Sequence, residues 1–292
     1  MRRVALSATV VGSVLIGSAC VSAEPVAQPA PASPSSPSRS PSAAAVPSVS
    51  ATVRASPTAR PWQVGATPLP RRQDGFGVIR PTPPELVDRR LPTVDHLPPP
   101  AGRRFTATTS GISRDIRARM GETWQPGCPV RLTDLRYLTV AFWGFDGRRH
   151  TGELVVNARV AGDVVRVFRR LHAARFPIEE MRLITTADLD APPTGDGNNT
   201  AGFVCRRARG QSRWSAHAHG LAIDLNPFQN PFHRRDLVLP ELASAYLDRS
   251  RVRPGMVLRG GVAVRAFAGI GWTWGGTFRQ PVDPMHFTAT GN

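Results

Sequence analysis

The chain has no lysine; all 37 of its basic side chains are arginine. That uniformity reads as coding bias rather than as chemistry. Aromatic residues make up only 7% of the chain and do not interleave with the arginines, so a nucleic-acid stacking surface is missing despite a formal net charge of +16. Nucleic acid is therefore excluded as a partner, and the charge is assigned to attraction toward anionic polymers of a cell envelope. Cysteine is scarce: only Cys20, Cys128 and Cys205 occur, and none stands at metal-ligand spacing from another, which argues against a zinc–thiolate centre. There is no internal repeat, and no apolar run is long enough for a comfortable membrane span.

What is present at the N-terminus is a secretory pattern. Met1-Arg2-Arg3 is a short positive region, and the apolar run from Val4 to Ala19 follows it. Two cleavage sites compete. Cleavage after Val21-Ser22-Ala23 releases a soluble protein, whereas Gly17-Ser18-Ala19-Cys20 resembles a bacterial lipoprotein box that would leave Cys20 to carry a lipid anchor. We favour the second, and either one places the protein outside the cytoplasm, secreted or membrane-anchored in a bacterial envelope. With Cys20 removed or acylated, Cys128 and Cys205 remain as a disulfide pair suited to an oxidising compartment. Such a bridge closes a long loop and contributes roughly 4 kcal/mol in the chain-entropy account.

Much of the chain reads as a tether. From Glu24 to about Pro70 the residues are mainly Pro, Ala, Ser, Val and Thr with no apolar periodicity, a composition that cannot offset chain entropy by burial. Residues 71–104 stay proline-rich and basic, and are expected to be irregular and draped over the domain that follows. The organisation is a signal segment over 1–23, a disordered linker over 24–104 and a folded domain over 105–292. Within that domain Ile112, Ile116 and Met120 predict a helix, and Leu135 to Phe142 and Glu153 to Asn157 predict a hairpin around Phe145-Asp146-Gly147. A helix is expected over 161–175, a short strand over 182–186 and a short helix within 237–247 beginning near Pro240, while Asp196-Gly197-Asn198-Asn199 reads as a plain surface loop rather than a calcium site. Mixed rather than alternating elements favour an α+β fold with a small antiparallel sheet and packed helices.

The chemistry concentrates in two stretches. In the first, from Trp214 to Pro227, His217 and Asp224 stand seven residues apart with Gly220 between them. Leu221, Ile223 and Leu225 alternate with Ala222 and Asp224, the period of a strand with one apolar face, so Asp224 points away from the core. The second stretch holds Trp272-Thr273-Trp274-Gly275-Gly276 and then Asp283-Pro284-Met285-His286. Together they offer two imidazoles and two carboxylates, enough for a metal held by two nitrogens and one oxygen with an acid to spare as general base.

The pattern Ser215-x-His217-x-x-Gly220-x-Ala222-x-Asp224, with an acid three residues before a downstream histidine, resembles the zinc D-alanyl-D-alanine carboxypeptidase family. Its relatives include vancomycin-resistance peptidases, phage L-alanyl-D-glutamate endolysins and the zinc-bearing Hedgehog domain. The resemblance, over roughly the last two-thirds of the chain, implies a small α+β fold, one Zn2+ and peptidoglycan stem peptides as substrate. Position by position it implies His217, Asp224 and His286 as metal ligands and Asp283 as the general acid/base. Many relatives carry Glu where this chain has Asp283. A type I turn with proline second would hold residues 283 and 286 on one side of the site.

The resemblance also implies an arginine on the strand before the histidine motif, to meet developing negative charge. Arg206 is our choice because Cys205 and Arg207 face the other way on an extended strand, with Arg207 as the competitor. Ser215 is expected to orient a ligand or substrate. His219 is expected to lie near the pocket without binding metal, and Trp272 and Trp274 either wall the cleft or pack in the core. The implied protein is a monomeric zinc peptidase of the cell wall. The peptide bond stays open between terminal D-Ala and L-Ala–D-Glu, with Asp283 and Asn226-Pro227 leaning toward the second. The competing reading is a wall-binding module that keeps zinc only for structure.

Overall fold

The computed structural model describes residues 62–208 and 211–291, so the signal segment, Cys20 and the linker as far as residue 61 lie outside the described residues. In chain order the elements are α1 (Pro84–Val87), β1 (Ala107–Ser110), α2 (Arg114–Met120), β2 (Leu135–Trp143), β3 (Arg149–Asn157), α3 (Ala161–Ala173) and α4 (Thr186–Asp190). The C-terminal part adds β4 (Ala222–Asp224), β5 (Phe232–Arg234), β6 (Leu237–Leu239), α5 (Val262–Ala268), β7 (Thr273–Trp274) and β8 (His286–Thr288). Among the described residues these form an α+β domain with three short antiparallel sheets, ordered β1-β2-β3, β4-β8-β7 and β5-β6. No helix among them is long and apolar enough to cross a membrane.

The hairpin forms where the turn residues place it. Asp146 accepts the backbone N–H of Arg148 at 2.9 Å, and Gly147 takes a φ of 73° that a side chain would resist. On β2 the alternating Leu138, Val140 and Phe142 face the main core, and α3 covers them with Val164, Val167, Phe168 and Leu171. Those four recur at the spacing of one helical face, and burying each contributes roughly 1.5–3 kcal/mol. The helix ends as Arg175 enters the left-handed region at φ 51° and Phe176 N–H returns to the carbonyl of Leu171 at 3.0 Å.

The same core holds the sheet that matters for chemistry. Leu221, Ile223 and Leu225 are all buried in it, as their alternation predicts. Phe267 of α5 stacks on Phe287 of β8 with ring centroids 3.9 Å apart, fixing β8 from behind. Trp272 and Trp274 are both buried in this core rather than exposed in a cleft. Cys128 and Cys205 are bonded, with Cα atoms 5.8 Å apart, and the bridge spans 77 residues.

Several expectations are corrected. The folded region does not begin at residue 105. Leu69 and Leu86 belong to a second core cluster with Phe228, Leu242 and Tyr246. Arg89 is 1% exposed, pairs with Glu179 at 2.8 and 2.5 Å and lies over the Phe228 ring. Residues 71–104 are mostly irregular apart from the single turn of α1 and the Arg71–Gly77 bridge, and a few apolar and ionic anchors carry what the proline-rich composition hides. Residues 182–186 are not a strand: Arg182 is tied to Glu180 and Asp188, and α4 begins at Thr186 with a capping box between Thr185 and Asp188. Residues 237–247 are not a helix, because Leu237–Leu239 pair with β5 and only a single 3-10 turn forms at Ser244–Tyr246.

The Asp196–Asn199 stretch is not a surface loop either. Asp196, itself buried, accepts the Trp62 indole N–H at 2.9 Å, and the buried Asn198 donates to Glu179 at 2.8 Å and to Gln229 at 2.9 Å. Buried polar groups need such partners, and here they stitch the segment before residue 105 to the rest.

Candidate metal centre

His217 sits in a 3-10 turn, Ala216–His219. Ser215 caps that turn, its hydroxyl accepting the His217 backbone N–H at 3.3 Å. Gly220 closes it at φ 65°, and a Cβ there would lie 2.5 Å from the backbone nitrogen of Asn157. The end of β3 thus presses directly on the turn, and Asn157 donates its amide to the His219 carbonyl at 3.0 Å. The turn aims His217 inward, while the His219 side chain does not line the cavity.

Asp224 and His286 are brought together by register. They are direct partners across the β4–β8 ladder, which places both side chains on one face of the sheet. The turn before His286 is closed by a hydrogen bond from His286 N–H back to the Asp283 carbonyl at 3.1 Å. Trp274 supports it from below by donating its indole N–H to the Pro284 carbonyl at 2.8 Å.

Asp224, His217 and His286 therefore offer three ligand atoms that all lie within 4.8 Å of one another. His217 Nε2 is 3.2 Å from His286 Nδ1 and 3.2 Å from Asp224 Oδ2, and His286 Nδ1 is 2.9 Å from Asp224 Oδ1. Zinc–nitrogen bonds of about 2.0–2.1 Å at tetrahedral angles space ligand atoms about 3.3 Å apart, so the set fits such an ion. The hydrogen bonding points the same way. His217 Nδ1 donates to the Gly202 carbonyl at 2.6 Å, which leaves the lone pair of a neutral ring on Nε2. That lone pair faces a carboxylate oxygen, an arrangement that calls for a proton or a cation between them. Burial opposes the charge on Asp224, yet His217 and His286 hold its carboxyl well below the usual range.

The three candidate ligands line a cavity of about 740 Å³, and Asp283, Arg206 and Ser215 line it with them. Of the two competing arginines, Arg206 is the one in the cavity wall. Arg207 is exposed, its guanidinium 3.8 Å from the centroid of the Trp214 ring. Burial lowers the pKa of Arg206, and the nearby charges of Asp224 and Asp283 counter that effect. Further guanidinium groups rim the cavity at Arg213, Arg234 and Arg279.

Some contributors have weak signals in sequence. Gly202 supplies the acceptor that orients His217, and Asn157 anchors its turn; nothing local marks either. Gly275 was visible as a glycine between aromatic residues, but its reason appears only in three dimensions, where it lies against Asp283 and His286.

The fold and the site together define a small α+β domain with a cluster able to hold a metal ion, two histidines and an aspartate, and a further acid in the same cavity wall, an arrangement consistent with a metallopeptidase. Residues 209–289 match the family model described as D-alanyl-D-alanine carboxypeptidase. That span takes in His217, Asp224, Asp283 and His286; it excludes Arg206 and is shorter than the two-thirds of the chain that the motifs suggested. No curated protein and no solved structure matches the chain.

Proposed function

We propose that the protein is a zinc-dependent peptidase of the bacterial cell envelope that hydrolyses amide bonds in peptidoglycan stem peptides. The observation that carries the proposal is the division of labour in the cavity: two imidazoles and one carboxylate cluster as ligands, and the acid of a second aspartate, Asp283, stands in the same wall outside that cluster. A purely structural zinc site usually closes its fourth position with protein. Here the ligands open onto a cavity large enough for a peptide.

When bound by His217, Asp224 and His286, zinc supplies Lewis acidity that brings water within reach of deprotonation near neutral pH and polarises a carbonyl. The Asp283 carboxylate takes a proton from the attacking water and returns it to the nitrogen of the leaving amine. One water is consumed, the C–N bond breaks, and a carboxylate and an amine result. Arg206 presents its guanidinium to the negative charge that grows on the carbonyl oxygen. His217 keeps its orientation through Gly202, and Ser215 holds the turn that carries it. Asp224 stays ionised throughout.

The bond cut is either terminal D-Ala or the link between L-Ala and D-Glu, and the excess of arginine around the cavity suits a substrate rich in free carboxylates. The test is digestion of intact muropeptides by the zinc-loaded protein, with products read by mass spectrometry. Release of D-Ala marks a carboxypeptidase, and a cut at L-Ala marks an endopeptidase. Muropeptides left intact at equimolar zinc favour the wall-binding module instead.

A further inference from the structure

We infer that the turn formed by residues 71–77 is a substrate-binding wall of the cavity, with Phe76 as a specificity-determining residue that receives an apolar side chain of the peptide. The inference rests on the peptidase reading of the cavity. It concerns a segment far outside the span that matches the carboxypeptidase model.

The turn is built and anchored. Arg71 and Gly77 form a β-bridge, Arg72 N–H donates to the Phe76 carbonyl at 2.7 Å, and Gly75 sits at φ 85°. Gly77 N–H donates to the buried carboxylate of Glu241 at 2.7 Å, and a Cβ at Gly77 would meet Glu241 and Leu69 at 3.0 Å. On the other side Arg72 reaches across to the β5–β6 hairpin and donates to Asp236 at 2.9 Å while holding Asp74 at 3.1 Å. A segment pinned on both sides presents its tip in one place, which lowers the entropy cost of using it to bind.

That tip faces the chemistry. Asp74 and Phe76 line the same cavity as Asp283 and His286. Phe76 is half-buried, as are Phe232 of β5 and Phe278, which also line it. Three phenyl rings from three distant segments give the cavity an apolar side, and guanidinium groups rim it. Such a surface takes a peptide that offers small aliphatic side chains as well as carboxylates. Asp74 is held within the turn by Arg72, which it shares with Asp236.

The test compares wild type, Phe76→Ala and Arg72→Ala on an intact disaccharide pentapeptide. Zinc content and thermal melting serve as controls. Phe76→Ala should raise KM roughly tenfold with kcat within about twofold, the pattern of lost binding that is equal in ground and transition states. Binding of the same muropeptide to the inactive Asp283→Asn protein, with and without Phe76→Ala, should weaken by the same factor. Arg72→Ala should act in the same direction with a smaller effect. If Phe76→Ala alone melts early, Phe76→Leu should melt as wild type and show an intermediate KM. Unchanged KM and binding in an active protein would overturn the inference while leaving the peptidase reading intact. A wild type that neither binds nor cleaves any muropeptide would overturn both.

Discussion

A methyl group at Gly275 would lie 2.5 Å from the carbonyl oxygen of Asp283 and 3.1 Å from its Cβ. The same Cβ would come within 3.2 Å of the His286 Cβ, so this one position presses on both the candidate base and a candidate ligand. Gly275 also accepts the Asp283 N–H at 3.0 Å, which ties the turn to it from the backbone. Gly275→Ala must therefore push residues 283–286 outward. We expect a destabilisation of about 1–3 kcal/mol from overpacking, weaker zinc retention and at least a hundredfold loss of hydrolysis. Calorimetric melting, metal analysis and kinetics on the same preparation check it, and wild-type activity in that variant would mean that the turn is not held where the chemistry needs it.

His217→Ala removes the candidate ligand whose ring is oriented by Gly202 and buried to 4% exposure. Two ligands remain, and zinc content after dialysis should fall well below one equivalent. Full occupancy in this variant would show that the ligand set is wrong.

Arg89 links the segment before residue 105 to the domain. Its guanidinium is paired with Glu179, also donates to the Asp196 carbonyl at 2.8 Å, and is closed off from water. Breaking a buried pair from one side leaves an uncompensated charge, so Arg89→Ala should cost about 3–5 kcal/mol in urea unfolding. A loss no larger than that of a surface arginine would restore residues 62–104 to the status of a tether.

Asp188 gives a pH signature. Burial opposes its charge, but hydrogen bonds from Arg182 and Thr185 bring its pKa below 3.8. A carboxyl with a depressed folded-state pKa stabilises fully above its unfolded value and loses that contribution as pH falls through the folded value. Asp188→Asn should thus lower the melting temperature at pH 7, and the gap to wild type should close as pH falls below about 4. A gap that stays constant down to pH 3 would contradict the ionic origin of this contact.

The sequence was most readable where one short-range pattern decides the structure. The period-two run Leu221-Ile223-Leu225 set the face of Asp224 correctly, and the apolar face of α3 set that helix, because both patterns are complete within a dozen residues. The Asp283–His286 turn was legible for the same reason. Residues whose partners are distant were not. Asp196 and Asn198 look like loop residues until Trp62, Glu179 and Gln229 close around them. Leu237–Leu239 is only one side of a three-residue ladder, too short for periodicity to separate strand from helix. Proline-rich composition concealed the packing of residues 62–104, since Leu69, Leu86 and Arg89 are isolated anchors in a mostly irregular stretch.

The most direct measurement pairs metal analysis with muropeptide hydrolysis in Asp283→Asn. The side chain keeps its volume but loses its charge and its ability to carry a proton. We predict one equivalent of zinc per chain, an unchanged melting temperature and hydrolysis reduced by several orders of magnitude. Hydrolysis at the wild-type rate with zinc fully bound would contradict the assignment of Asp283 as the proton carrier and, with it, the mechanism built on this cavity.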